Sequence, residues 1–191
     1  MIRAFVGLPV PDDVSSTLEG AQVGLRIGNL VPRENFHLTL AFLGEHPGPV
    51  VEDIHDGLSG IDAEAIAIEA TGMDIFGSEN PRALFADVVP VPPLKALRKK
   101  VRQTARDYGV ALESCKFHPH ITLARFGRGL VGEDVIALGL YIQRNNARAR
   151  MAFTADRFCL YRSYLGAQGP IYEVLAEYAL TASTVSVSIE R

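Results

Sequence analysis

The sequence is poor in the features that announce several common protein classes. Only two cysteines occur in 191 residues. Cys115 and Cys159 provide no disulfide framework and no metal-type spacing. Hydrophobic runs are short and interrupted, so no stretch reaches the ~20 apolar residues of a membrane-spanning helix. The N-terminal Met1-Ile2-Arg3-Ala4-Phe5-Val6 reads as the start of a strand, without the apolar core and small-residue cleavage site of a secretory leader. Positive charge is not in surplus: 19 Lys and Arg face 22 Asp and Glu, a net charge of -3. A protein that follows long nucleic acid through many phosphates usually carries a basic excess. Its lack argues against a long RNA-binding groove and leaves room for a ligand with one phosphate group in a small pocket. Neither a Gly-rich phosphate loop nor a Gly-x-Ser-x-Gly elbow is present. A monomer in the reducing cytoplasm, away from membranes, is the expectation.

The chain length suits one compact domain over residues 1–191 made of two lobes. Ile2 to Leu8 is a buried strand, bounded by Pro9 and Pro11. Asp12 and Asp13 are placed to cap a helix to about Ile27, with Val14, Leu18, Val23 and Leu25 inward. A loop from Val31 to Asn35 leads into a strand from Phe36 to Leu43, stopped by Gly44. Pro49 to Leu58 reads as a helix, and Ala65 to Thr71 and Ala83 to Val89 as strands. Pro92 to Tyr108 is the clearest helix, with Leu94, Leu97, Val101 and Tyr108 near one face. Its other face carries Lys95, Arg98, Lys99, Arg102 and Arg106, a basic stripe that is more often a solvated face than a nucleic-acid contact. Phe117 to Arg125 is a strand, Gly132 to Tyr141 a helix, and Met151 to Tyr161 and Tyr172 to Leu180 are closing strands around a Gly166–Pro170 turn. Thr181 to Arg191 is an extra edge strand or a frayed tail. The irregular alternation of elements predicts an α+β fold with mainly antiparallel pairing.

One internal repeat stands out. Each half holds a His-x-Thr-Leu in its central strand: His37-Leu38-Thr39-Leu40 and His120-Ile121-Thr122-Leu123. Alternation puts His37, Thr39 and Ala41 on one strand face, and His120, Thr122 and Ala124 on one face of the other. The small alanines would leave room for a ligand in front of them, while Leu38, Leu40 and Phe42 would face the core. By the same parity Arg125 falls on the face opposite His120 and reaches it only through a twist or bulge. Two facing imidazoles suit phosphate-ester chemistry, since one neutral ring can activate water while a protonated one supplies a leaving oxygen with its proton. Two threonine hydroxyls can donate to phosphoryl oxygens, and the scheme requires no metal. His118 and His120 also form a His-x-His pair, a start for zinc ligation, but no third ligand is singled out by spacing. His46 and His55 read as ordinary surface residues.

With these motifs the sequence resembles the 2H phosphoesterase superfamily, specifically the RNA 2',3'-cyclic phosphodiesterases also called 2'-5' RNA ligases. The resemblance is carried by Ile2-Arg3-Ala4-Phe5-Val6-Gly7-Leu8, Asn35 through Gly44, Pro81 through Ala86, Phe117 through Arg125 and Leu160-Tyr161-Arg162-Ser163, in the family's order. It implies a bilobal α+β fold: two pseudo-symmetric antiparallel sheets, helices outside and a central cleft. It also implies cofactor-free hydrolysis of RNA 3' ends bearing a 2',3'-cyclic phosphate, or of cyclic nucleotides, to 2'-phosphates. By position, His37 would be the proton donor to the departing 3'-oxygen and His120 the proton acceptor from water. Thr39, Thr122 and Arg125 would contact the phosphate. The sequence departs from the family where Val31 replaces a common aromatic before Pro32, and where His118 replaces a common basic residue. Ligation of RNA halves through a 2'-5' bond, and RNA-end binding without catalysis, remain open alternatives at the same site.

Overall fold

A computed structural model describes residues 1–114, 116–166 and 169–182. Their order is β1 (Ile2–Pro9), α1 (Asp12–Gln22), β2 (Asn29–Leu30), β3 (His37–His46), α2 (Gly48–Ser59), β4 (Ile66–Phe76), β5 (Ala83–Val88), α3 (Pro92–Asp107), β6 (His120–Arg125), α4 (Glu133–Asn145), β7 (Met151–Ala155), β8 (Arg157–Gly166) and β9 (Gly169–Ala179). Short 3-10 turns occupy Arg33–Asn35 and Asn146–Ala149.

The strands run in the order β7-β4-β5-β6-β3-β1-β8-β9, with β2 beside β6. Every pairing between these strands is antiparallel. The order divides into two quartets, β9-β8-β1-β3 and β7-β4-β5-β6, which share a strand-helix-strand unit in their inner pairs, β1 and β3 around α1 and β5 and β6 around α3. They meet where β3 and β6 pair at Leu38↔Ile121, so the two lobes share one continuous sheet rather than holding separate ones.

The helices lock the lobes together by exchange. Helix α1 leaves β1 in the first lobe but packs on β6 and β7 of the second, whereas α3 leaves β5 in the second and packs on β3 and α2 of the first. Each buries an apolar stripe: the expected Val14 and Leu18 with Ala21 on α1, and the expected Leu94, Leu97 and Val101 with Ala105 on α3. Tyr108, expected near the same face, follows the end of the helix and is 39% exposed. The apolar back of the sheet, including Leu8, Leu38, Leu84, Ile121 and Leu123, closes the same core. Apolar side chains of this size are worth about 1.5–3 kcal/mol each when fully buried.

Several expected boundaries shift for local reasons. Helix α1 ends at Gln22, so Val23, read as a core position, is 64% exposed, while Leu25 packs inward. Pro11 holds its N-cap position, and Asp12 and Asp13 fill the first turn without making a cap bond. The stretch expected as one strand from Met151 to Tyr161 is two. Strand β7 pairs with β4 and β8 with β1, the chain crossing between lobes at Asp156. The strand expected from Phe117 starts only at His120, because Pro119 offers no N–H. Strand β3 passes Gly44, whose φ of +88° follows a bulge at Leu43, and continues to His46. Of the C-terminal segment, Thr181 bridges to Glu64; residues 183–191 lie outside the described residues.

Candidate active site

The two His-x-Thr-Leu motifs lie on adjacent strands. With Leu38 opposite Ile121, antiparallel pairing brings Thr39 beside His120 and His37 beside Thr122. His37 and Thr39 are partly accessible between the buried Leu38 and Leu40, and the same pattern recurs at His120 and Thr122.

Each strand then carries a bulge at the same place. Along β3, Gly7 pairs with Thr39 and Val6 with Ala41, so Leu40 is the extra residue. Along β6, Phe85 pairs with Thr122 and Leu84 with Ala124, so Leu123 is the extra one. An extra residue reverses the faces of everything beyond it. Ala41 and Ala124, expected on the ligand face, are therefore in the core at 3% and 0% exposure. Phe42, expected inward, is 65% exposed. Arg125 comes round to the face of His120 and Thr122, where its charge acts on both histidines.

The β6 bulge is held from outside the strand. The Leu123 carbonyl oxygen accepts bonds from Val31 N–H and from Gln22 Nε2, both at 2.8 Å. Gln22 is 6% exposed and also donates to the Val31 carbonyl at 2.8 Å. Gly28, at φ +77°, turns the chain into β2; a Cβ there would come within 2.4 Å of the Phe126 ring and 2.8 Å of the Arg125 carbonyl.

Both imidazoles are fixed alike. His37 Nδ1 donates to the Asn35 carbonyl and His120 Nδ1 to the His118 carbonyl, each at 2.7 Å. A carbonyl can only accept, so Nδ1 carries a proton in each ring and Nε2 is left for chemistry. The His37 ring rests against Phe5, 4.7 Å between centroids, and meets Tyr172 edge-on at 5.1 Å. Phe5 in turn stacks on Tyr161 at 4.7 Å. The His120 ring lies against Phe76 at 4.8 Å and Phe85 at 5.2 Å. Burial among these rings pushes His37 down to about 4, with Arg125 and His120 adding repulsion and the Asn35 bond opposing. His120 is lowered chiefly by burial, helped by His118 and Arg125 and opposed by the His118 backbone bond and by Asp87.

His118 is not paired with a metal-type set: its Nε2 meets Asp87 Oδ1 at 2.7 Å, and its ring stands perpendicular to His120 at 6.5 Å. Among the described residues no group of three or more His, Cys, Asp or Glu could hold a metal ion. His46 bonds the Leu43 carbonyl at 2.8 Å and His55 the Tyr178 hydroxyl at 2.8 Å, both far from the cleft in the chain's pairing. Phe76, Tyr172 and Gln22 lie outside the blocks that carry the family resemblance, whereas Phe5, Asn35 and Phe85 lie inside them with nothing to mark their role. Tyr161 lies in a block that resembles the family, yet its packing on Phe5 follows only from the β1–β8 pairing, where it stands opposite Phe5.

Comparison with known proteins identifies the family. A family model described as the 2'-5' RNA ligase superfamily matches residues 10–167. The RNA 2',3'-cyclic phosphodiesterase of Aeropyrum pernix is 32% identical over 155 residues, covering 80% of this chain and 86% of that protein. The protein of the same name from Bacillus subtilis is 27% identical over 183 residues, covering 93% and 96%. The crystal structure of E. coli LigT complexed with 3'-AMP has the same fold, with a TM-score of 0.78 at 22% identity over 94% of this chain and 98% of that one. The family match spans well over half of the sequence and agrees with the paired motifs on the shared sheet, and so this chain belongs to the 2'-5' RNA ligase superfamily of 2H phosphoesterases.

Proposed function

We propose that this chain hydrolyses 2',3'-cyclic phosphate ends of RNA to 2'-phosphomonoesters, with His37 and His120 as its acid and base. The activity is that named for its Aeropyrum and Bacillus relatives. The observation that carries the assignment to these residues is the matched pair of Nδ1 bonds, which leaves two Nε2 atoms free on adjacent strands.

In this reading the cyclic phosphate sits between the rings. Neutral His120 takes a proton from water through Nε2 as the oxygen attacks phosphorus. The bond from phosphorus to the 3'-oxygen breaks, and protonated His37 gives that oxygen its proton from Nε2. The two rings end with the proton exchanged between them and reset through solvent. Thr39 and Thr122 donate to the phosphoryl oxygens, and Arg125 adds a charge-assisted contact. His37 starts with a proton affinity lowered chiefly by burial, and the substrate's negative charge in the cleft favours its protonated form. A low-affinity acid is also a strong donor once protonated, which suits delivery to an alkoxide.

The exchange of α1 and α3 between lobes supports reading the chain as one folding unit rather than two separable halves. The test is phosphorus NMR of a 2',3'-cyclic nucleotide incubated with the protein in EDTA. Conversion to the 2'-phosphate is expected, with His37→Ala and His120→Ala each inactive. A 3'-phosphate product, or full activity in either variant, would refute the assignment.

A further inference from the structure

Each of the two site rings hangs from the carbonyl two residues before it, and in each lobe the residue that owns this carbonyl is tied down by its own side chain. In the first lobe Asn35 is 7% exposed, and its Nδ2 donates to the Pro170 carbonyl at 2.8 Å. In the second lobe the tie is made to a charged partner. His118 Nε2 donates to Asp87 Oδ1 at 2.7 Å, since a carboxylate only accepts. Asp87 is the residue opposite His120 in the β5–β6 pairing, so the tether starts from the strand that already flanks the ring.

Several restraints meet at His118. Pro119 has no N–H to give and confines the residue before it to extended conformations. The Pro119 carbonyl accepts from Val88 N–H at 3.1 Å, which ties the next peptide to β5 as well. The His118 ring also meets Phe76 and Phe85 edge-on, at 5.4 and 5.2 Å. These are the rings against which His120 lies, so the two histidines share one aromatic wall. With its ring and the following residue held, the His118 carbonyl is aimed at His120 Nδ1, 2.7 Å away.

We propose that Asp87 and His118 are a positioning pair for His120: the carboxylate holds the His118 ring, and the His118 carbonyl thereby keeps the His120 proton on Nδ1 and leaves Nε2 open to water. The proposal rests on the function above and names the residues that prepare its base. A free neutral imidazole carries its proton on either nitrogen, and a ring protonated at Nε2 has no lone pair there to take a proton from water. The pair also acts through charge. The ionisable groups around His120 are Asp87 on β5, His118 and Arg125 to either side of it in the chain, and His37 on β3, with Arg98, Arg102 and Lys116 bordering the same cavity. Asp87 is the acidic member of this set, and it raises the proton affinity of His120 against burial, His118 and Arg125.

The test is steady-state hydrolysis of a 2',3'-cyclic nucleotide by the full chain, together with nitrogen NMR of the histidine rings recorded where they are neutral. In His118→Ala, kcat should fall on the order of tenfold with KM little changed, and His120 should show a mixture of Nδ1–H and Nε2–H forms. His118→Gln can still donate to Asp87 and should recover most of both losses. Asp87→Asn keeps an oxygen for His118 but removes the charge. Its His120 proton should stay on Nδ1 while the alkaline limb of kcat/KM moves to lower pH, the direction opposite to that expected on removing the Arg125 cation. The two side chains are 44% and 37% exposed, so Tm should hold nearly constant in all three variants. Wild-type kcat and an unmixed Nδ1–H ring in His118→Ala overturn the proposal, as does an Asp87→Asn limb that stays in place or moves to higher pH. A fall in kcat that tracks a fall in Tm and is not recovered by His118→Gln assigns the pair to structure alone and also overturns it. If wild type opens no cyclic phosphate, the function itself fails, and the ring spectra still decide whether the pair sets the His120 proton.

Discussion

Raising the pH from about 6 to about 8 on wild type and Arg125→Ala probes the site through the proton count of its two histidines. The proposed mechanism uses the state in which the pair holds one proton in total. His37 is pushed down to about 4 and His120 is lowered as well, both chiefly by burial. At pH 7 a ring titrating near 4 is protonated in only about one molecule in a thousand. Because kcat/KM reports the free enzyme, it should peak on the acid side of the ordinary histidine value of 6.5. Above that it should fall about tenfold per pH unit. Under saturation the anionic substrate raises both rings, so the kcat profile should lie to higher pH than that of kcat/KM. Arg125→Ala removes a cation that depresses both rings, so its kcat/KM limb should move to higher pH. Loss of the phosphate contact should lower kcat/KM itself by ~10²-fold. The assay is initial-rate hydrolysis of a 2',3'-cyclic nucleotide at fixed ionic strength. A wild-type kcat/KM that is flat or rising between about pH 6 and about pH 8 would refute the reasoning, as would an Arg125→Ala profile displaced towards acid.

The same depressed affinity links to stability: the unfolded chain binds the His37 proton near 6.5 and the folded chain near 4, so stability drops as pH falls through that window. The loss attributable to His37 approaches ~3 kcal/mol, and His37→Asn should flatten the Tm profile between those two values. Gln22→Leu leaves the buried Leu123 carbonyl with one donor of its two and should cost ~1–3 kcal/mol in urea unfolding, with a fall in activity through Arg125. A Cβ at Gly7 would stand 2.9 Å from the Leu38 carbonyl oxygen on the strand beside His37. Gly7→Ala should therefore lower stability by ~1–3 kcal/mol and reduce kcat, read by urea melts and the same assay.

The elements were legible where one periodicity ran uninterrupted. The stripe of α3 and the apolar run of β1 announced their extents to within a residue or two, and the repeated His-x-Thr-Leu announced the site. What alternation could not announce was its own interruption. Nothing in Thr39-Leu40-Ala41 or Thr122-Leu123-Ala124 marks a bulge, because the extra residue is defined by the partner strand and not by its own chemistry. Parity counted from the histidine therefore sent Ala41, Ala124, Phe42 and Arg125 to the wrong faces. The break at Asp156 was hidden for a related reason: β7 and β8 are both apolar enough to read as one strand, and only their different neighbours separate them. The helix exchange was likewise invisible, since an amphipathic stripe specifies that a face is buried and not which sheet buries it.

The repeat matters most where it breaks. Position by position, β3 and β6 match through the histidine, the threonine, the bulge and the buried alanine, and then diverge: Phe42 stands where Arg125 stands in the other lobe. Their partners diverge too, with Gly7 opposite Thr39 and Phe85 opposite Thr122. A symmetric pair of imidazoles would give two equal proton affinities and no preferred direction of proton transfer. Here His37 is enclosed by Phe5, Tyr161 and Tyr172, whereas His120 has Asp87 acting to raise it and His118 and Arg125 acting to lower it. Unequal surroundings make the two rings unequal acids, and the proposed mechanism gives the donor role to His37, the ring that burial pushes down to about 4. The duplicated strand supplies two sites for one phosphate; the substitutions at the ends of the repeat divide the work between them.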